Sequence, residues 1–277
     1  MADQIEYKTR GELQAMRAAG LILARALDAA RTAIAPGVTT SDLDAVVDAV
    51  FTEAGAVSNF RGYHGYPAAI CASVNDEIVH GIPSKERILV EGDLVSIDAG
   101  CSWDGWHADS AFSAHVGEPP SMDEVDLIAA AHDAMWAGIA AIRAGGRLGD
   151  VSWAVETSVL LSARQDGRRY GSVNGYGGHG IGSAMHMDPF VPNQGRRNKG
   201  VRLAGGMALA IEPMLTLGRA QTRELDDGWT VVTRDGSRAA HVEHSVAITD
   251  DGISVLTAPD RGVAGLEQYG IAPVDLD

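Results

Sequence analysis

The residues with the most chemical content are four carboxylates set inside apolar, strand-like runs. Leu94-Val-Ser-Ile-Asp98 ends in an aspartate, and Met207-Ala-Leu-Ala-Ile-Glu212 ends in a glutamate. Trp106-His-Ala-Asp109-Ser-Ala-Phe112 and His241-Val-Glu243-His-Ser-Val-Ala-Ile248 each carry an acid within the run. A buried ionised carboxylate needs a cation or a raised pKa. Near these runs the only basic residues in strand context are Arg234 and Arg238, both in a turn. Metal ions are therefore the better source of the missing positive charge. A lone strand-end acid usually caps or forms a turn. The joint occurrence of four, together with His179 framed by glycines in Gly175-Tyr-Gly-Gly-His-Gly-Ile-Gly182, favours a site. Asp98 and Asp109 are 11 residues apart, which suits two adjacent strands joined by a turn through 101–105. Four carboxylates and one imidazole match two divalent cations in charge. Such a pair lowers the pKa of a shared water from about 15.7 towards roughly 7 and polarises a carbonyl, which is a template for hydrolysis.

Other motifs point nowhere. Gly175-Tyr-Gly177-Gly-His-Gly180 matches a dinucleotide-binding pattern, but Met185-His-Met-Asp-Pro189 follows it where a helix would have to open. His179 and His186 are seven apart, not the four of a helical zinc-protease motif. No G-x-S-x-G elbow is present. Cys71, in a β-type run, reads as a buried inert thiol rather than a nucleophile.

The elements that must position these residues follow from periodicity. Leu13, Met16, Gly20, Leu23, Leu27, Ala30 and Ile34 recur at spacings of three and four, one face of a helix that Pro36-Gly37 stops. Thr39-Thr40-Ser41-Asp42 caps a second helix with Leu43, Val46, Val47, Val50 and Phe51 inward and Gly55 at its end. After a turn at 61–67 come strands at 68–74, 94–98 and 108–116. The pattern then starts again. Ser121 to Glu124 form a capping box before a helix reaching Gly145-Gly146, and a further helix covers about 150–163. The glycine turn at 175–182 precedes strands at 207–211, 229–233, 242–248 and 253–256. This is an α+β arrangement of two pseudo-symmetric halves, about 9–116 and 121–256, sharing one sheet layer. We expect a single catalytic domain over 1–277, with a C-terminal tail at 257–277.

Composition narrows the setting. Against 37 Asp+Glu stand 22 Lys+Arg, a net charge of −15, which argues against broad binding to DNA or an anionic membrane. Arg17, Arg25, Asp28 and Arg31 interrupt the longest apolar-rich stretch, Leu13 to Ile34, and Met1 to Arg10 offers no apolar signal core. Two cysteines, Cys71 and Cys101, support no disulfide framework. A soluble cytoplasmic protein, monomeric, is the expectation.

Several motifs together resemble the type I methionine aminopeptidases of the pita-bread fold: Tyr63-His-Gly-Tyr-Pro67, Ser73-Val-Asn-Asp-Glu-Ile-Val-His80-Gly-Ile-Pro83, Ile97-Asp-Ala-Gly100, Gly105-Trp-His-Ala-Asp109, Gly178-His-Gly-Ile-Gly182, Ala210-Ile-Glu-Pro213 and Val242-Glu-His244. The resemblance implies an α+β fold curved around an antiparallel sheet. It implies two divalent ions (cobalt, manganese, iron or zinc) on Asp98, Asp109, His179, Glu212 and Glu243. Asp109 and Glu243 would bridge, Asp98 would serve one ion, and His179 with Glu212 the other. Glu212 would shuttle the proton from water to leaving amine. His80 and His186 would hydrogen-bond the scissile amide and its oxyanion. Tyr63, Tyr66, Cys71, Met185 and Trp229 would form a methionine pocket, with Asn59 at its edge. The implied activity is removal of the initiator methionine from nascent chains whose second residue is small. The 31-residue interval from Glu212 to Glu243 leaves no room for the helical insertion of type II enzymes. The alternatives are an Xaa-Pro peptidase of the same fold, or a non-catalytic binding module. Arg196-Arg-Asn-Lys-Gly-Val-Arg202 is a basic cluster on an acidic chain, either a solvated loop or a contact to ribosomal RNA.

Overall fold

Capping chemistry sets the first two helices. In the computed structural model, which describes residues 5–276, α1 spans Arg10–Ala33. The Thr9 side chain accepts from the Glu12 N–H, and the Glu12 carboxylate accepts the Thr9 N–H at 2.7 Å. Two donors that a helix start leaves free are thereby satisfied. The expected face is buried except at Ile34, which is the extended C-cap ahead of Pro36. Helix α2 spans Thr40–Ala54 between a Thr39–Asp42 capping box and Gly55, whose φ of +67° is the left-handed turn that glycine tolerates. Leu43, Val47 and Phe51 are buried, while Val46 and Val50 are half-buried.

The second helix pair departs from expectation at its start. Helix α3 spans Met122–Ala140 and stops before Gly145-Gly146. Ser121 is its N-cap but makes no side-chain cap bond, so the capping box does not form. Glu124 is drawn away: it is buried, with Oε1 3.5 Å from Arg238 Nε. Helix α4 spans Leu148–Gln165, with the Asp150 carboxylate accepting the Arg147 N–H at 3.1 Å.

Both helix pairs pack on one antiparallel sheet. Its order is Val57–Ser58, Leu94–Trp103, Trp106–His115, Glu243–Thr249, Ala208–Ile211, Gly177–Gly180 and Met187–Pro192. Ile70–Val74 joins through Leu94–Trp103, and Gly252–Val255 through Glu243–Thr249. Leu23, Leu43 and Phe51 of α1 and α2 bury against Ile70 and Ile97. Met135, Ile139 and Val151 of α3 and α4 bury against Leu209, Ile211 and Val246. The approach is close: a Cβ at Gly20 of α1 would lie 2.2 Å from the Leu256 carbonyl oxygen. The C-terminal segment returns to α1, where the Leu276 carbonyl accepts from Arg10 at 3.0 Å and from Gln14 at 2.6 Å.

Two readings of the sequence are corrected here. The glycine turn at 175–182 is in part a strand, Gly177–Gly180, so His179 sits within the sheet. A Cβ at Gly178 would lie 2.0 Å from the Ala210 carbonyl oxygen, so glycine here serves close strand approach rather than turning. Met187–Pro192, not among the strands expected from the sequence, is the outermost strand on that side. Proline is tolerated there because an edge strand does not need every N–H.

Candidate metal centre

Sheet order, not sequence order, explains how the five side chains meet. Five neighbouring strands each supply or lead into one: Asp98, Asp109, Glu243, Glu212 and His179, in that order across the sheet. The long hairpin pairs Asp98 with Ala111 and Gly100 with Asp109. Alternation then puts both aspartates on one face. Glu243 pairs with Ala111 and so lies beside them on that face. Glu212 is one residue past the last paired position, Ile211 with His244. Gly100 leaves space for the neighbouring acid: a Cβ there would lie 3.0 Å from Asp109 Oδ1.

The backbone around the centre is pinned where the ladder is short. Ser110 Oγ donates to the Glu243 carbonyl at 2.7 Å, and Ser245 Oγ donates to the Asp109 carbonyl at 2.7 Å. Buried Asn193 donates to the Glu212 carbonyl at 3.0 Å, holding the chain just beyond its strand. None of these three residues carries a signature in the sequence, because each acts through a backbone distant along the chain.

Ligand atoms of Asp98, Asp109 and Glu243 lie within 4.8 Å of one another, as do those of His179, Glu212 and Glu243. The two sets overlap at Glu243, the middle strand of the five. His179 Nδ1 is 2.9 Å from the Gly180 carbonyl oxygen. A carbonyl only accepts, so Nδ1 carries the proton and Nε2 keeps a lone pair. That lone pair faces Glu212 Oε1 at 3.6 Å and Asp109 Oδ2 at 3.9 Å. Every group here is an acceptor. Asp98 Oδ1, Asp109 Oδ1 and Glu243 Oε1 are buried with no hydrogen-bond partner. Among the described residues, the only ion-pair partners of these acids are the imidazoles of His179 and His241. Burial holds both rings neutral, with pKa values pushed down to about 3. The donor set of carboxylate oxygens and one imidazole nitrogen therefore fits divalent cations of the manganese, iron, cobalt or zinc kind.

The centre opens onto a cavity of about 630 Å³. Phe60, Tyr66, Cys71 and Met185 form an apolar cluster in its wall, with Trp229 against it. The Tyr66 hydroxyl is satisfied by the carbonyls of Ile70 and Gly81, both at 3.0 Å, leaving its ring to the cavity. Burial pushes the Cys71 thiol well up, so it remains a neutral, soft wall. His80 and His186 both line the cavity. His80 has φ +62°, a costly conformation for a non-glycine residue, and burial lowers its pKa to about 4. His186 Nδ1 lies 2.9 Å from the Tyr63 hydroxyl, and its ring packs edge-on against His179 with centroids 4.4 Å apart. A His186 nitrogen also lies within 4.8 Å of Asp109 and His179 ligand atoms, which the sequence reading did not foresee. Asn59 is a correction: it is not among the residues lining the cavity and instead bonds His107 Nδ1 at 2.8 Å and the Ala108 carbonyl at 3.2 Å. Phe60 and His241 were missed. Strand alternation offered a signal for His241, which lies two residues before Glu243 and so shares its face.

The model of metallopeptidase family M24 matches residues 14–250. The chain belongs to this family. It is 54% identical over 253 residues to methionine aminopeptidase 1 of Mycobacterium tuberculosis, covering 91% of this chain and 95% of that protein. The crystal structure of methionine aminopeptidase from Thermotoga maritima superposes with a TM-score of 0.87 at 40% identity, covering 92% of this chain and 99% of the other. A prolidase from Pyrococcus furiosus shares the fold alone, with a TM-score of 0.71 at 21% identity over 91% of this chain and 65% of that one. The M24 chain described here thus has the pita-bread architecture its motifs implied.

The centre's electrostatics set a pH dependence. In the metal-free M24 chain, burial pushes Asp98 up to about 7 and Glu212 up to about 8, and raises Asp109 and Glu243 well above the usual carboxylate range. Folded acids then keep protons that the unfolded chain releases, so stability falls as pH rises. The buried imidazoles act in the opposite sense, but only below their ordinary value of 6.5. The Tm of chelator-treated protein is therefore expected to drop between pH 6.5 and 8. Saturating divalent metal is expected to abolish that drop, and a metal-free Tm that climbs over the same interval would contradict it.

Proposed function

We propose that this M24 chain is a methionyl aminopeptidase that removes the N-terminal methionine of new proteins when the second residue is small. The observation that carries this reading is the convergence of five acceptors at the wall of an apolar pocket lined by Phe60, Tyr66, Cys71, Met185 and Trp229. A soft, polarisable lining suits an unbranched thioether.

In this reading Asp98, Asp109, His179, Glu212 and Glu243 would hold the metal ions. Two divalent cations held there would supply Lewis acidity to the scissile carbonyl and acidify the attacking water. Glu212 takes the proton of that water and returns it to the leaving amine. Tyr63, at the cavity and 38% exposed, has its hydroxyl 2.9 Å from His186 Nδ1, and in this reading the hydroxyl is the donor. The ring then carries its own proton on Nε2, where it serves as a hydrogen-bond donor to the oxyanion rather than as a ligand. Neutral His80, fixed by its backbone, hydrogen-bonds the scissile amide. Tyr63, Tyr66, Cys71, Met185 and Trp229 seat the methionine side chain.

Arg196, Arg197, Lys199 and Arg202 are all exposed, with the Arg197 guanidinium 4.7 Å from the Trp153 ring centroid. We assign this patch to contact with ribosomal RNA, where nascent chains emerge. No helix among the described residues is long and apolar enough to cross a membrane. Cys71 and Cys101 are free and buried, which suits a reducing, cytoplasmic setting; we read the enzyme as a monomer of one catalytic domain with two related halves.

Metal-loaded protein is expected to release methionine from Met-Ala-Ser faster than it cleaves an Xaa-Pro peptide. The reverse preference, or inertness towards both, overturns the assignment. For His186→Ala, kcat should fall about 10²- to 10³-fold while metal content by atomic absorption stays at the parent level; loss of metal would make His186 a ligand. Neutralising the four basic residues should reduce co-sedimentation with ribosomes at low salt, and unchanged co-sedimentation sinks the RNA contact.

A further inference from the structure

Glu212 is flanked by two imidazoles, one on each carboxylate oxygen. His179 Nε2 lies 3.6 Å from Oε1, and His241 Nε2 lies 3.7 Å from Oε2. The metal reading uses the first of these contacts and leaves the second without a purpose. His241 is 2% exposed, and its Nε2 is buried with no hydrogen-bond partner. A polar atom buried in this way is costly unless something meets it. The ring also lines the cavity that holds the centre. Its backbone is locked: the His241 N–H donates to Ser113 Oγ at 2.9 Å, Ser113 Oγ donates to the His241 carbonyl at 2.8 Å, and the residue pairs with Met214 across a second sheet. The ring cannot easily be aimed elsewhere.

His241 belongs to none of the groups of ligand atoms that converge within 4.8 Å. Its neighbour is a single carboxylate oxygen, which accepts when ionised. A neutral ring with its proton on Nε2 is the form that can satisfy both atoms, across a distance of 3.7 Å that a small rotation of the carboxylate closes to a hydrogen bond.

We propose that His241 is a positioning residue for Glu212. Its Nε2–H would hold Oε2, leaving Oε1 for the ion that Glu212 and His179 would bind. Oε2 keeps its second lone pair turned to the cavity, where the proton of the attacking water arrives. Without that donor the carboxylate is free to rotate, and both the ion and the proton transfer lose their geometry.

This inference rests on the reading of Glu212 as a metal ligand, and the test separates the two. Imidazole nitrogen NMR on the protein loaded with diamagnetic Zn²⁺, which keeps Glu212 ionised, reads the tautomer directly, and the Nε2-protonated form is expected; a proton on Nδ1 overturns the proposal. Calorimetric titration with Mn²⁺ is then compared for the parent, Glu212→Ala, His241→Leu and His241→Gln. Glu212→Ala identifies the ion that depends on this carboxylate. If it leaves both ions bound as in the parent, the ligand reading and the proposal fall together. His241→Leu is expected to weaken that same ion about 10- to 100-fold and to lower kcat on Met-Ala-Ser by a similar factor, with KM little changed. His241→Gln, which restores an N–H donor, should recover most of both losses. A merely structural role for the ring would give no such rescue. If Glu212→Ala loses an ion while His241→Leu binds both like the parent, or if Gln does no better than Leu, the ligand reading stands and the proposal alone fails. His241→Met, similar in bulk and also lacking a donor, serves in place of Leu if the Leu variant does not fold.

Discussion

The structure is organised around an electrostatic conflict: four carboxylates and one imidazole lone pair point at a common space with no donor between them. In a sheet this arrangement is self-repelling, and burial makes the repulsion worse because little water screens it. The rest of the molecule reads as the apparatus that keeps such a set from relaxing apart. Two separate apolar cores, one under α1 and α2 and the other under α3 and α4, fix the two sides of the sheet. The serine hydroxyls of Ser110 and Ser245 tie the central strands together at the level of the acids. Divalent cations turn the conflict into cohesion, so metal binding and stability are one quantity viewed from two sides.

The need for convergence also explains where glycines and strained residues fall. Adjacent strands lie roughly 4.8 Å apart, so side chains from five strands in a flat sheet would span far too wide a space for one dinuclear site. Bringing their ends together requires the sheet to curl and some backbones to approach more closely than a Cβ permits. Gly178 stands at one such approach, and Gly100 makes room for the Asp109 carboxylate. His80 is held in the left-handed region at the cavity wall, where a β-carbon is normally unfavourable, and the turn before Gly81 tolerates this because its backbone is pinned by Ser73 at 3.1 Å. The centre's precision is thus bought by rigidity in residues that never touch it.

This division decides what could be read from the chain alone. The acids were legible because a carboxylate in an apolar alternating run is anomalous whatever the fold, and Asp98, Asp109, Glu212 and Glu243 do share one site. The helices α1 and α2 were legible because capping boxes at Thr9 and Thr39 are local chemistry. The same local rule failed at Ser121, where Glu124 is claimed by Arg238, a partner more than 100 residues away in the sequence. His179 was expected in a turn because glycines usually mean turns; here they allow strand contact, which only the neighbouring strand reveals. Met187–Pro192 carries two prolines that mask its strand character, and its edge position is invisible without the sheet order. Asn193, Ser110 and Ser245 act through backbone carbonyls, so no pattern of residue types marks them.

The prolidase likeness adds one further step. A chain only 21% identical keeps the same architecture, so the curled sheet does not depend on most of the side chains that build this particular core. Specificity must then lie where the sheet does not dictate geometry. The apolar pocket draws Phe60 and Tyr66 from the loop around Tyr63–Gly65, Met185 from the segment between two strands, and Trp229 from the turn before Val231–Thr233. Only Cys71 comes from a strand of the main sheet. On the proposed reading, metal chemistry would be carried by the strands and side-chain recognition by the connections, a division by which one scaffold can support related reactions. A change in substrate preference within this architecture should therefore arise in the 60–66, 185 and 229 regions, leaving the five acceptors and their clamps as they are.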